Sequence, residues 1–208
     1  MNSPTPAAIW YAAYGTNLDP ARLACYLEGG TPSGGTRSTP GARDPRPPRD
    51  VRRVQLPGSV YFAWTSPTWG GGVAFLDPTD SGTSAGQAYL LTGEQFSDVV
   101  AQEMHRAPGV DLDLTLLGGR PSWAFGEGRY ETLHVVAEID GVPVVTFTAP
   151  TSAPLDFRAP SAAYLRVMGR GLRESQGWEP GRVAAYLLAC RGIGRDWTHE
   201  AIGELLTD

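Results

Sequence analysis

Near the N-terminus a short apolar run, Ile9-Trp10-Tyr11-Ala12-Ala13-Tyr14, is stopped by Gly15 and followed within a few residues by Asp19-Pro20-Ala21-Arg22-Leu23. Asp before Pro is a helix start: the carboxylate caps free backbone N–H groups, and the proline ring fits the first turn. The stretch therefore predicts strand, tight turn and helix, the helix running through Leu27 and ending at Gly29-Gly30. In such a unit the backbone N–H groups of Tyr14-Gly15-Thr16-Asn17 point one way, just ahead of a helix N-terminus. A corner of this kind binds anions or a developing oxyanion. It is equally an ordinary turn before a capped helix, with Thr16 and Asn17 bonding to nearby backbone.

The 208 residues, 41% hydrophobic, suffice for one packed domain, and we see neither a repeat nor a linker that would divide 1–208. High glycine and proline content, 26 and 18 residues, favours short strands joined by many turns. Cys25 and Cys190 are too few for a disulfide framework, and no Cys/His cluster has zinc spacing. No metal or cofactor is expected. Met1 to Ala8 lacks the features of a secretion signal, and no apolar stretch approaches the about 20 residues that span a bilayer. The expectation is a cytoplasmic protein without a membrane partner. A net charge of −5 argues against nucleic acid as a partner.

Residues 31–53 are Gly, Pro, Ser, Thr and Arg with few large apolar groups, a composition that predicts a long flexible loop. Six arginines (37, 43, 46, 49, 52, 53) face only Asp44 and Asp50 there. The loop is either a solvated excursion or a flap whose arginines hold an anionic substrate. Strands are expected over 54–64, 72–76 and 86–91, and over 130–139 and 142–148, the last two joined by an Asp140-Gly141 hairpin turn. Helices are expected from Thr92 to about Arg106, and over 161–175, 180–189 and 198–206, with 179–208 a helical C-terminal extension.

Phe96, Val99 and Val100 share one face of the helix that begins at Thr92, and Glu103 sits on that apolar side or its border. Burying an unpaired carboxylate is costly, so an acid there is either paired, with Arg106 as the neighbouring candidate, or reactive. His105 and His134 read as structural or surface residues, since His105 should point away from Glu103 on a continuing helix.

Tyr14-Gly15-Thr16-Asn17-Leu18, with Arg22 and Leu23 following, resembles the Tyr-Gly-Ser-Asn-Leu signature of the γ-glutamylcyclotransferase-like family. Trp69-Gly70-Gly71-Gly72-Val73-Ala74, Gly86-Gln87-Ala88-Tyr89-Leu90-Leu91, the acid at Glu103, and Pro160-Ser161 with Tyr164 are similar to later family segments, in the same order. The resemblance implies an α+β fold, a small mixed β-barrel with flanking helices. It implies an enzyme that converts a γ-glutamyl amide into 5-oxoproline and a free amine. It also implies Glu103 as general acid/base, with Tyr14, Gly15, Thr16, Asn17, Tyr130 and Tyr164 binding a small-molecule γ-glutamyl substrate. Thr16 replaces the usual Ser, and Phe147 falls where a pocket Tyr is expected. Two alternatives stay open: a non-catalytic binding module on the same barrel, and a cyclotransferase dedicated to a γ-glutamylated natural-product intermediate.

Overall fold

The apolar run at the N-terminus becomes β1 (Ala8–Ala13), a strand flanked on both sides. Its residues from Ile9 onward are all buried, which is why the run lacks the polar alternation of a half-exposed strand. The computed structural model describes residues 8–150 and 155–207. Most of the segment examined for a secretion signal thus lies outside the described residues. After β1 come α1 (Pro20–Glu28), β2 (Val51–Pro57), β3 (Ser59–Ala63), β4 (Val73–Asp77), β5 (Thr83–Thr92) and α2 (Gly93–Glu103). Then follow β6 (Ser122–Ala124), β7 (Thr132–Ile139), β8 (Val142–Thr148), α3 (Ala162–Gln176), α4 (Pro180–Ala189) and α5 (His199–Leu205).

Six strands form a sheet in the order β2-β5-β1-β8-β7-β6; β1 runs antiparallel to β5 and parallel to β8. The fold is mixed α+β. The expected barrel, however, is not closed. β3 and β4 pair with each other as a separate antiparallel hairpin, and β3 adds single bridges from Tyr61 to Arg191 and from Ala63 to Phe157. Side-chain hydroxyls stand where ladder bonds would close it. On one side Val60 N–H donates to Ser84 Oγ at 3.1 Å, and that hydroxyl donates to Gly58 O at 2.9 Å. On the other, Leu76 N–H donates to Thr148 Oγ1 at 3.0 Å, and Thr148 returns its proton to Leu76 O at 2.8 Å. A hydroxyl both accepts and donates, so one side chain serves a backbone N–H and a C=O where no strand ladder forms.

The strand expected over 54–64 is two strands broken at Gly58, whose φ of 98° turns the chain. Residues 31–50 form no helix and, apart from the single bridge between Gly30 and Thr39, no strand. They are nonetheless tied down: Ala42 N–H donates to Leu27 O at 2.9 Å, Gln95 Nε2 to Arg46 O at 2.8 Å, and Arg49 N–H to Leu90 O at 2.9 Å. Val51 to Arg53, assigned to the loop from composition, begin β2 on the free edge of β5. In the C-terminal stretch, Val183 and Leu187 of α4 and Ile202 of α5 are fully buried, and both helices pack against α3. Among the described residues no helix is long and apolar enough to cross a membrane.

Candidate active site

Local chemistry sets the turn first. β1 ends at Ala13, and a single 3-10 turn, Thr16–Leu18, leads into α1. Asp19 caps that helix, its Oδ1 accepting from Ala21 N–H at 2.9 Å, while its other oxygen pairs with Arg170 of α3. α3 comes this close because Gly171 faces Leu18 and Asp19, where a side chain would collide with backbone. Tyr89 of β5 donates to Asn17 O at 2.8 Å. Held from these sides, the turn leaves the N–H groups of Gly15 and Asn17 with no protein acceptor among the described residues.

α2 brings the acid. A capping box between Thr92 and Gln95 starts the helix, and Glu103 is its last residue. Asn17 Nδ2 donates to Glu103 Oε1 and to the Tyr11 hydroxyl, both at 2.9 Å. One amide thereby joins the turn to a carboxylate 86 positions away. Asn17 Oδ1 is buried without a partner, an acceptor beside the acid. Arg106, the neighbour on its own helix, pairs with Glu131 rather than Glu103.

Tyr14, Gly15, Thr16, Asn17, Glu103, Tyr130 and Tyr164 all line one cavity, which Phe147 also borders. The tyrosine hydroxyls do structural as well as lining work. Tyr14 donates to Phe147 O at 2.8 Å and Tyr130 to Ala74 O at 2.8 Å, whereas Tyr164 accepts from Ala74 N–H at 2.8 Å. Tyr130 and Tyr164 thus hold both backbone groups of Ala74 at the start of β4. Burial, followed by the charge of Glu103, pushes the Tyr11 and Tyr26 hydroxyls well above their ordinary values, and burial does the same to Tyr14 and Tyr130. These groups remain protonated donors in a water-poor wall.

The cavity also holds residues that the sequence reading did not place there: Tyr11, Arg22, Tyr26, Trp64, Trp69 and Arg129. Arg22 is 5% exposed, lies 3.9 Å from the Tyr26 ring centroid, and has Nε and Nη1 without partners. A signal for it existed. Arg22, Leu23, Tyr26 and Leu27 follow the spacing of one buried helical face. Arg129 lies 4.1 Å from the Trp64 ring centroid and donates to Glu103 O at 2.7 Å. His105 also lines the cavity, contrary to the expectation that it points away. α2 stops at Glu103, and His105 takes a φ of 57°, so helical geometry no longer directs it. Burial, then Arg129 and Arg37, holds its imidazole below the ordinary value. Among the described residues there is no group of three or more His, Cys, Asp or Glu placed to hold a metal ion.

No family model matches the chain. It is 29% identical over 198 residues to Histone deacetylase 5 of Arabidopsis thaliana, an alignment covering 86% of this chain and 30% of that protein. The chain therefore spans less than a third of that relative's length. Among solved structures it is similar to one titled gamma-glutamyl cyclotransferase, with a TM-score of 0.55 and 14% identity over 96% of this chain and 98% of the other. It is equally similar to an uncharacterized protein from Homo sapiens, with a TM-score of 0.55 and 16% identity over 97% and 99% of the two chains. The fold is thus that of a γ-glutamyl cyclotransferase-like α+β protein.

Proposed function

We propose that this protein is a cyclotransferase that converts a γ-glutamyl amide into 5-oxoproline and a free amine. The observation that carries the reading is the 2.9 Å contact between Asn17 and Glu103, which sets a carboxylate against a backbone corner with unspent N–H groups. The substrate's own α-amino nitrogen is the nucleophile. It surrenders a proton to Glu103 and attacks the γ-carbonyl carbon, closing a five-membered lactam. The N–H groups of Gly15 and Asn17 meet the negative oxygen formed on that carbon. When the C–N bond to the leaving amine breaks, Glu103 returns the proton to the departing nitrogen, so the reaction balances without water or cofactor. Asn17 Oδ1, lacking a protein donor, suits the N–H bonds of the attacking amine.

The test is release of 5-oxoproline from a panel of γ-glutamyl amides by the intact chain. Glu103→Gln keeps the shape and removes the proton carrier. Turnover should fall by about 100- to 10,000-fold, the usual worth of a positioned acid/base, with substrate still bound. Undiminished turnover in that variant would remove Glu103 from the chemistry, and a panel yielding no 5-oxoproline at all would sink the reading.

A further inference from the structure

α2 ends on the residue that carries the acid, and a helix leaves its last carbonyl groups without partners of its own. A cation there satisfies them and offsets the negative end of the helix, yet the last turn of α2 holds no basic residue. Arg129, 26 positions further on, supplies one by donating Nη2 to Glu103 O at 2.7 Å. The bend that delivers Arg129 is wrapped around a single carboxylate. Glu131, 2% exposed, accepts from Gly128 N–H at 2.6 Å and pairs with Arg106. A side chain at Gly126 or Gly128 would collide with that carboxylate, and at Gly128 with Met104 as well, so glycine is what lets the bend close this tightly. Arg106 belongs to the exit of α2, its N–H donating to Ala101 O at 2.9 Å. Residues 126–131 therefore grip the end of α2 at its last carbonyl, at Met104 and at Arg106.

We propose that Glu131 is a positioning residue for the reaction: it shapes the 126–128 bend so that Arg129 caps α2 at Glu103 and fixes the acid against Asn17. The inference rests on the cyclotransferase reading of the cavity. Glu103 is then held at both ends, its carboxylate by Asn17 and its backbone by Arg129. Both holds matter, because the last turn of a helix frays and a proton carrier displaced by about 1 Å loses much of its effect. Glu131 does not itself line the cavity. Its influence passes through Arg129, whose guanidinium also rests 4.1 Å from the Trp64 ring centroid.

The experiment measures 5-oxoproline release and amide hydrogen exchange for Glu131→Gln, Arg129→Ala and the double variant beside the wild-type chain. Glu131→Gln keeps the shape and removes the charge that holds Arg106 and the Gly128 N–H. Each single change should lower kcat by about 10- to 100-fold with KM held within about threefold, the pattern of a misplaced acid rather than of lost binding. Exchange should rise in the last turn of α2 and stay unchanged in its first. The double variant should be slower than the worse single by no more than about threefold, because Glu131 acts through Arg129. Should Glu131→Gln fail to fold, Gly128→Ala sets a methyl against the same carboxylate from a half-buried position and should give the same kcat loss and exchange pattern. Unchanged kcat, a rise in KM alone, losses that multiply in the double variant, or exchange rising evenly along α2 overturns the inference and leaves the cyclotransferase reading standing. A wild-type chain that releases no 5-oxoproline from any γ-glutamyl amide overturns both.

Discussion

Asn17 is the residue on which the site turns. Its side-chain amide spends its N–H groups on Glu103 and Tyr11 and keeps its oxygen free, so a single side chain positions the acid and faces the space beside it. Asn17→Ala leaves the carboxylate in place without its tether. On the cyclotransferase reading turnover should drop by about 100-fold, the usual penalty for a loosely placed catalytic group, beside a stability loss of about 1–3 kcal/mol that leaves the protein folded at assay temperature. Steady-state kinetics beside a thermal melt separates the two. A melt that collapsed together with the activity would make Asn17 a structural residue instead. That a polar residue followed Gly15-Thr16 was plain in the sequence; which carboxylate it would meet was not. Glu103 lay next to Arg106 on the same helix, and short-range pairing rules favoured that partner. The helix ends at Glu103, and Arg106 goes to Glu131.

Among the elements, the β3–β4 hairpin is the least conventional part of the fold. Its joints to the sheet rest on Ser84 and Thr148, each hydroxyl serving one backbone N–H and one C=O. Thr148→Val preserves the shape but orphans the N–H and C=O of Leu76, a residue 1% exposed. We expect a loss of about 1–3 kcal/mol in denaturant unfolding, with hydrogen exchange rising first in β4. Ala74 lies on that strand, so the Tyr130 and Tyr164 contacts at the cavity should loosen with it. At α3, Gly171→Ala places a methyl against the backbone of Leu18 and Asp19 and should cost about 1–3 kcal/mol while moving the turn. Strand and helix positions were largely legible, since apolar runs, caps and Gly-Pro punctuation are local. The barrel was not, because closure depends on the spacing between strands far apart in sequence.

For the whole molecule, charge and burial set the response to pH. His134 of β7 is half-buried with Nε2 unpartnered, and burial lowers its imidazole below the ordinary 6.5. The folded state thus prefers the neutral ring and the unfolded state binds the proton more readily. Stability from this site is complete above about pH 6.5 and is lost as pH falls from there through the folded value. Melting temperature should decline between about pH 7 and pH 5, and His134→Gln should flatten that decline. An identical slope in the variant would assign the effect to other groups. Cys190 contributes nothing across this range, because burial pushes its thiol up to about 12.

By itself the sequence determined the strand, turn and helix around Gly15, the cap at Asp19, the Asp140-Gly141 hairpin and the seating of Glu103 at the edge of an apolar face. Each follows from backbone sterics and hydrogen bonding within a few residues. The tertiary structure decided what those pieces meet. All 17 basic residues are arginine, so no residue type marked which guanidinium would be an ion-pair partner and which would face a cavity. Arg43 reaches the buried carboxylate of Asp98, and Arg22 turns inward with two nitrogens unspent. Electrostatic and hydrogen-bond partners are chosen by distance in space. Only the folded arrangement of β1, α1 and α2 brings Gly15, Asn17, Arg22 and Glu103 around one cavity.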